Sequence, residues 1–121
     1  MEFKKKIPKE KRILEAEKMI DKFKDRVPVI CEKIKGNRIS ELTKNKNLVP
    51  KDLSISQFIY ILRKRVKLSE QEGLFIYVNN ILPKNTSTFQ EIYSEFKDED
   101  NFLYIHYGIE NTFGQNKIDK I

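Results

Sequence analysis

The sequence predicts an α+β fold in which a four-stranded mixed sheet wraps around a helix, with two further helices at the N-terminus. Three observations support this prediction. Apolar residues recur at helical spacing near the N-terminus, two capping boxes each precede a helical pattern, and four short β-rich runs lie between turn signals. At 121 residues, the chain has the length of one domain with its own core.

The first predicted elements are helices. Pro8 suits the first turn of a helix, where no backbone N–H bond is lost. The apolar residues that follow it recur three or four positions apart, at Ile13, Ala16, Ile20 and Phe23. Phe3 and Ile7 lie four apart before the proline, so a short helix is predicted ahead of it.

Two strands are predicted next. Residues 26–34 are rich in β-branched side chains, which is typical of a strand. Pro28 within this run predicts an edge position or a bulge, because proline cannot donate a hydrogen bond to a sheet. Gly36 and Asn37 indicate a turn. A short second strand is predicted at Asn47–Val49, ended by Pro50.

Two capping boxes predict two later helices. In the first box Ser54 and Gln57 satisfy each other's free backbone N–H groups. Thr88 and Glu91 form the second box. Apolar residues at helical spacing follow each box: Phe58, Ile59, Leu62 and Val66 after the first, and Phe89, Ile92, Tyr93 and Phe96 after the second.

The last two strands complete the pattern. The apolar run Leu74–Val78 predicts a central strand, and Phe102–Tyr107 predicts another strand, closed by Gly108. The order is therefore two helices, then strand, strand, helix, strand, helix and strand. It matches a β-grasp, the ubiquitin-like architecture, but a ferredoxin-like split sheet has a compatible pattern and stays open.

Charge is distributed unevenly along the chain. The net charge is +6, and residues 33–67 alone carry ten Lys or Arg against two acids. Such a surface attracts acidic peptides, anionic lipid or nucleic acid. Nucleic acid is disfavoured, because the consecutive side chains of Arg63–Arg65 spread over about 200° of a helix rather than forming one row.

The composition favours neither a catalytic site nor a metal site. There is one histidine, His106, predicted as a surface or half-buried strand residue, and one cysteine, Cys31, predicted as a small buried apolar residue. The acids of residues 98–100 are predicted to form a solvated turn. A single cysteine and no secretory signal lead us to expect an intracellular protein.

Several stretches stand in the order found in one known family: Asp25–Ile30, Asn47–Leu53, Gln57-Phe58, Arg63–Arg65, Phe75–Asn80, Asp98–Tyr104 and Glu110–Gly114. Together they resemble the autophagy ubiquitin-like modifiers, the family of the GABA-receptor-associated protein. The resemblance extends from Ile20 to Gly114 in register. It implies four regions: a helical extension at 1–24, a ubiquitin-like core at 25–108, an extended conjugation tail at 109–114 and a removable propeptide at 115–121.

The resemblance implies that the protein is modified by enzymes rather than being one. A cysteine protease would cut between Gly114 and Gln115, with Phe113 as an apolar anchor. Activating and conjugating enzymes would then pass the Gly114 carboxyl to phosphatidylethanolamine. We accordingly expect no catalytic residue, no metal and no cofactor beyond this covalent lipid. The expected locations are the cytoplasm, as a monomer, and the autophagosome or a related vesicle membrane once lipidated.

The resemblance also implies capture of cargo receptors and adaptors through motifs of the form W/F/Y-x-x-L/I/V. An aromatic pocket would be lined by Glu15, Met19, Pro28, Lys46, Leu48 and Phe102. An aliphatic pocket would be lined by Val49, Pro50, Leu53, Phe58 and Ile61. The acidic flank of the motif would meet Lys44, Lys46 and Arg65.

Some positions depart from the family pattern. Asn47 stands where the family carries tyrosine or phenylalanine, so the rim of the aliphatic pocket is expected to be more polar. The seven residues after Gly114 exceed the usual tail, which leaves the protease preference open. The alternative function is a soluble β-grasp adaptor in vesicle trafficking that binds peptides and is never conjugated.

Overall fold

The computed structural model describes residues 2–109, which form four helices and four strands. The prediction of a conjugation tail ending at Gly114 and a propeptide at 115–121 lies outside these residues. The helices are α1 (Glu2–Lys6), α2 (Lys9–Lys22), α3 (Ile55–Arg65) and α4 (Phe89–Phe96). The strands are β1 (Arg26–Lys33), β2 (Lys46–Pro50), β3 (Leu74–Tyr77) and β4 (Leu103–Ile109). Among residues 2–109, no helix combines the length and apolarity needed to cross a bilayer.

The strands form one mixed sheet in the order β2-β1-β4-β3. β1 and β2 are an antiparallel pair, β1 and β4 run parallel at the centre, and β3 is antiparallel to β4. The first and last of the described strands, β1 and β4, therefore lie side by side in the middle of the sheet. This arrangement confirms the predicted β-grasp rather than the ferredoxin-like alternative.

Two predictions about strand position are wrong. β3 is an edge strand, not a central one, and its residues are apolar because the sheet and α3 bury them. β1 is central despite Pro28, because β4 joins it only from Val29 onwards, where Val29 pairs with Leu103. At Pro28 the only paired neighbour is β2, so the missing N–H removes no bond to β4.

Gly108 does not close β4, contrary to the prediction, but lies within the strand opposite Phe75. A Cβ atom at this position would lie 2.8 Å from Asn37 Nδ2 and 2.9 Å from Ile34 Cδ1. The strand therefore continues through a glycine because the loop after β1 packs directly against its backbone.

The two capping boxes are confirmed with both reciprocal bonds. Ser54 Oγ accepts from Gln57 N–H at 3.2 Å, and Gln57 Oε1 accepts from Ser54 N–H at 2.9 Å. Thr88 and Glu91 repeat the arrangement at 3.2 and 3.0 Å. Pro8, predicted in the first turn of α2, occupies the N-cap position directly before Lys9.

The sheet separates two apolar clusters. The larger cluster lies on the face covered by α3 and α4 and includes Val29, Phe58 and Ile105. Cys31 belongs to it, as predicted for a small buried residue, and burial raises the pKa of its thiol. The smaller cluster lies on the face covered by α1 and α2, and its buried members are Phe3, Ala16, Ile30, Phe102 and Tyr104.

A buried ion pair joins the N-terminal helices to the turn before β4. Asp100 is fully buried, so the predicted solvated turn is wrong at this residue. Arg12 of α2 donates from Nε to Asp100 Oδ2 at 2.8 Å, and its Nη1 donates to the carbonyls of Lys4 and Ile7 at 3.0 and 2.7 Å. Asp100 also accepts from the Tyr104 hydroxyl and from Phe102 N–H.

The hydrogen bonds of Arg12 and of the Asp100 carboxylate hold several segments of the chain together. The Arg12 guanidinium holds α1 and α2 together through the two carbonyls, while the carboxylate holds the start of β4. Burial and the hydrogen bond to Asp100 raise the pKa of Tyr104, so its hydroxyl stays a donor. Removing one charge of such a pair leaves the other buried without compensation.

We predict that Arg12→Met lowers the free energy of unfolding by about 3–5 kcal/mol, because the Asp100 carboxylate stays buried without its cation. Urea denaturation monitored by circular dichroism measures the change. Lys11→Met is the matched control, since Lys11 is exposed on the same helix. An Arg12→Met variant as stable as the control would contradict the prediction.

Candidate functional site

The strand β2 forms one free edge of the sheet among the described residues. Its ladder with β1 fixes which backbone groups face outward. Cys31 N–H donates to Asn45 O at 2.8 Å, and Lys51 N–H donates to Asp25 O at 3.0 Å. In an antiparallel ladder, every second residue bonds its partner strand. Asn47 and Val49, which lie between Asn45 and Lys51 at this spacing, therefore direct their backbone N–H and C=O groups towards β1. The N–H and C=O groups of Lys46 and Leu48 therefore point away from the sheet.

The same alternation divides the side chains of β2 between the two faces of the sheet. Lys46 and Leu48 lie opposite Ile30 and Pro28, and Ile30 belongs to the cluster under α1 and α2. Asn47 and Val49 therefore face the other side, where Val49 is part of the larger cluster. The β2 residues Lys46 and Leu48 of one predicted pocket thus lie on the opposite face from Val49 of the other, while Pro50, at the strand end opposite Arg26, alternates with Val49.

The structure brings the predicted aromatic-pocket residues together on the α2 face. Pro28 is the strand partner of Leu48, and Phe102 is buried in the smaller cluster with Met19 packed against it. An ion pair between Glu15 of α2 and Lys46 of β2 spans the space between the helix and the edge strand. The Lys46 ammonium also lies 5.7 Å from the centroid of the Phe3 ring.

Four of the predicted aliphatic-pocket residues, Val49, Leu53, Phe58 and Ile61, lie on the α3 face, but they differ in exposure. Val49 and Phe58 are buried in the larger cluster, and the Phe58 ring stacks at a tilt on Phe89 with centroids 4.9 Å apart. Leu53 is half-buried against that cluster, and Pro50 is half-buried at the end of β2. Ile61, with 39% of its surface exposed, offers the most accessible apolar side chain of this set.

The predicted cations lie around the β2 edge. Lys44 is exposed just before the strand, and Lys46 is half-buried within it. Arg65, near the end of α3, donates from Nη1 to Asn47 Oδ1 at 3.2 Å. Asn47 is therefore a polar contact on the α3 face, which agrees with the more polar rim expected at this position.

Arg26 is a feature of the edge that the sequence analysis missed. Its Nη1 lies 3.4 Å from the outward-facing carbonyl of Leu48, to which it donates. A peptide strand that pairs with β2 competes with this guanidinium for the same carbonyl. No sequence pattern pointed to the contact, because it depends on the register in which Arg26 lies opposite Pro50.

Other candidate chemistry is sparse in the described region. No group of three or more His, Cys, Asp or Glu side chains within residues 2–109 is placed to hold a metal ion. His106 is half-buried in β4, as predicted, and burial lowers its pKa. Within residues 2–109, the β2 edge combines outward-facing backbone groups, apolar side chains on both faces and nearby cations, and we take it as the candidate site.

Comparison with known proteins shows the family to which the chain belongs. The family model described as "Autophagy protein Atg8 ubiquitin like" matches residues 11–114. The chain belongs to the Atg8 family. It is 53% identical over 116 residues to the Autophagy-related protein 8 of Scheffersomyces stipitis, an alignment covering 96% of this chain and 84% of that protein. The corresponding protein of Candida albicans is 52% identical, with 94% and 84% covered.

A solved structure supports the same assignment. The crystal structure of Trypanosoma brucei ATG8 superposes with a TM-score of 0.87 at 41% identity, covering 91% of this chain and 95% of that one. The chain is therefore an autophagy ubiquitin-like modifier with the Atg8 fold. Membership in this family connects it with the partners of the autophagy pathway in general terms.

Proposed function

We propose that this Atg8-family protein is cleaved after Gly114, conjugated to phosphatidylethanolamine, and used on the membrane to dock receptors that carry W/F/Y-x-x-L/I/V motifs. The observation that carries the docking part is the free β2 edge, with one predicted pocket on each face of the sheet. The conjugation part is supported by the family and by the chemistry of a C-terminal glycine.

Peptide docking follows from strand geometry. Side chains alternate between the two faces of a strand, so residues three apart lie on opposite faces, about 10 Å apart along the chain. An extended peptide paired with β2 would therefore direct its aromatic residue to one face and its aliphatic residue to the other. We assign the aromatic side chain to the α2 face, near Met19 and Phe102, and the aliphatic side chain to the α3 face, near Leu53 and Ile61.

Backbone pairing supplies affinity at this edge. The outward N–H and C=O groups of Lys46 and Leu48 are the groups that an added strand would bond. Binding would displace the Arg26 guanidinium from Leu48 O, and that guanidinium would then be available for a carboxylate of the peptide. The Arg26 guanidinium and the Leu48 carbonyl both lie near the surface, so replacing their hydrogen bond by bonds to the peptide costs little free energy.

Charge favours motifs with acidic flanks. Lys44 and Arg65 lie at the surface around β2, and Lys46 is held by Glu15 across the aromatic pocket. A peptide acid can take over Lys46 from Glu15, which opens the space between α2 and β2. Electrostatic complementarity of this kind speeds association and selects partners.

The C-terminal chemistry rests on residues outside the described part of the chain. Gly114 has no side chain, so a tail ending there can enter a narrow enzyme channel and present an unhindered carboxyl group. Phe113 would anchor the tail in the processing protease. The two acyl chains of phosphatidylethanolamine then hold the protein on a membrane more firmly than one chain could.

This proposal defines the partners and the locations. The protein would be a substrate of a processing cysteine protease and of the activating and conjugating enzymes, with no catalytic, metal or cofactor site of its own. It would be a cytoplasmic monomer before conjugation and lie on autophagosomes or related vesicles afterwards. Nucleic acid is not among the proposed partners.

We predict that Gly114→Ala slows cleavage and lipid transfer by about a hundredfold, because the added methyl group displaces the reacting carbonyl in a narrow channel. Intact mass of the protein from its own cells measures loss of residues 115–121 and gain of a phospholipid. Asn116→Ala, beyond the cleavage point, is the control and should be processed normally. Lipid acquisition by Gly114→Ala to the same extent as by the wild-type chain would refute conjugation at this residue.

A chain that stays full-length in starved cells while binding motif peptides would instead favour the unconjugated adaptor.

We predict that Lys46→Glu combined with Leu48→Ala weakens binding of an aromatic-x-x-aliphatic peptide by about tenfold or more, because both the charge and the pocket wall are lost. Isothermal titration calorimetry measures the affinity. Lys64→Glu with Leu14→Ala is the matched control, since both residues are exposed outside the predicted pockets. Equal affinities of the two double variants would count against the assigned pockets.

A further inference from the structure

The loop after β1 approaches the last residues of β4. Ile34 N–H donates to Tyr107 O at 2.8 Å, which extends the parallel pairing one residue beyond β1. The Ile34 carbonyl then accepts from Asn37 N–H at 3.0 Å, closing a turn in which Gly36 has a φ of +82°. Because this carbonyl is used in the turn, it does not take the next ladder position opposite Ile109.

The side chain of Asn37 takes that position instead. Its Oδ1 accepts from Ile109 N–H at 3.2 Å, and its Nδ2 donates to Ile109 O at 3.1 Å. The carboxamide therefore pairs with the backbone of β4 as another strand's peptide group would. Asn37 Oδ1 also accepts from Ile39 N–H at 3.2 Å, which holds the side chain in place.

Gly108 makes this pairing sterically possible. A methyl group at residue 108 would lie 2.8 Å from Asn37 Nδ2 and 3.1 Å from Asn37 Cγ, inside normal contact distance. The side-chain hydrogen bonds and the missing Cβ are two separate observations that point to the same close approach. We call Asn37 and Gly108 together the strand-end clamp.

We propose that the strand-end clamp positions the C-terminal tail for processing, so that Asn37 is a positioning residue for cleavage after Gly114. The inference rests on the processing proposed above. Ile109 precedes Gly114 by five residues, which span at most about 17 Å when extended. With Ile109 held, the tail starts from a fixed point. Without the clamp, no described backbone bond holds Ile109 on the β1 side, while Gly108 stays paired with Phe75 of β3 on the other side.

The clamp should therefore act on substrate binding rather than on bond cleavage. A tail whose free backbone begins at Ile109, one residue earlier, has more conformations to lose when it enters the protease. We expect Asn37→Ala to raise KM for removal of residues 115–121 by about five- to tenfold, with kcat changed by less than about twofold. Asn37→Asp keeps the acceptor for Ile109 N–H but loses the donor, and should be intermediate.

The experiment uses the full 121-residue chain and the purified processing cysteine protease, with steady-state kinetics of tail release. Ser40→Ala is the matched control. Ser40 lies in the same loop and donates to Val66 O at 2.9 Å, so the variant removes a side-chain-to-backbone bond that does not involve β4. Ser40→Ala should leave KM at the wild-type value.

A readout independent of the protease accompanies the kinetics. Amide hydrogen exchange of Ile109, followed by NMR, should accelerate in Asn37→Ala and not in Ser40→Ala, while exchange at Ile105 in the middle of β4 stays slow in both. Slow exchange at Ile105 shows that the variants remain folded. Unchanged exchange at Ile109 would overturn the clamp.

A double-mutant cycle tests whether the two residues act as one unit. Gly108→Ala alone should raise KM as Asn37→Ala does, because the methyl group displaces the carboxamide. Adding Gly108→Ala to Asn37→Ala should have less effect than Gly108→Ala alone, because the contacts with the carboxamide are gone and only the end of the Ile34 side chain, 2.9 Å from the added methyl group, has to shift. Additive increases in KM would show two independent effects and overturn the paired role.

The outcomes separate this inference from the function on which it rests. A wild-type chain that the protease does not cut after Gly114 would refute the processing itself, and the positioning role with it. A wild-type chain that is cut there, with the same KM as Asn37→Ala, would refute only the positioning role.

Discussion

The buried pair between Arg12 and Asp100 fixes the helix that forms one wall of the proposed site. Through it, α2 is joined to the turn before β4, and two further bonds from the same guanidinium, to the carbonyls of Lys4 and Ile7, hold α1 beside α2. One wall of the aromatic pocket, formed by Glu15 and Met19, belongs to this helix. Since the pair is buried and fully hydrogen-bonded, its partners are required together, and either one alone would be destabilising.

The β2 edge, which is free among the described residues, presents side chains on both faces of the sheet. A sheet covered by helices on both faces has two apolar layers, and its edge strand contributes alternate side chains to each. An extended peptide at such an edge meets both layers at once, which accounts for a motif whose two key residues are three positions apart. The polar contact between Asn47 and Arg65 makes the α3 side of this surface less apolar.

Local features of the fold were predictable from the sequence and long-range ones were not. The capping boxes and the apolar periodicity act within four residues, and the structure confirms them. Asp100 is buried with Arg12, which lies 88 residues away in the sequence. The proposed role of Asn37 depends on its bonds to Ile109, which lies 72 residues away. The register of β4 against β1 likewise decides whether Pro28 is tolerated, because their pairing begins only at Val29. The pocket residues came from family resemblance, and their roles in binding stay predictions.

The central claim is that the β2 edge receives an extended peptide whose aromatic and aliphatic residues reach opposite faces of the sheet. The most direct measurement is a crystal structure of this protein with a bound W-x-x-L peptide. The account predicts backbone hydrogen bonds from the peptide to Lys46 and Leu48, with the tryptophan on the α2 face and the leucine on the α3 face. A peptide bound elsewhere, or with both side chains on one face, would contradict it.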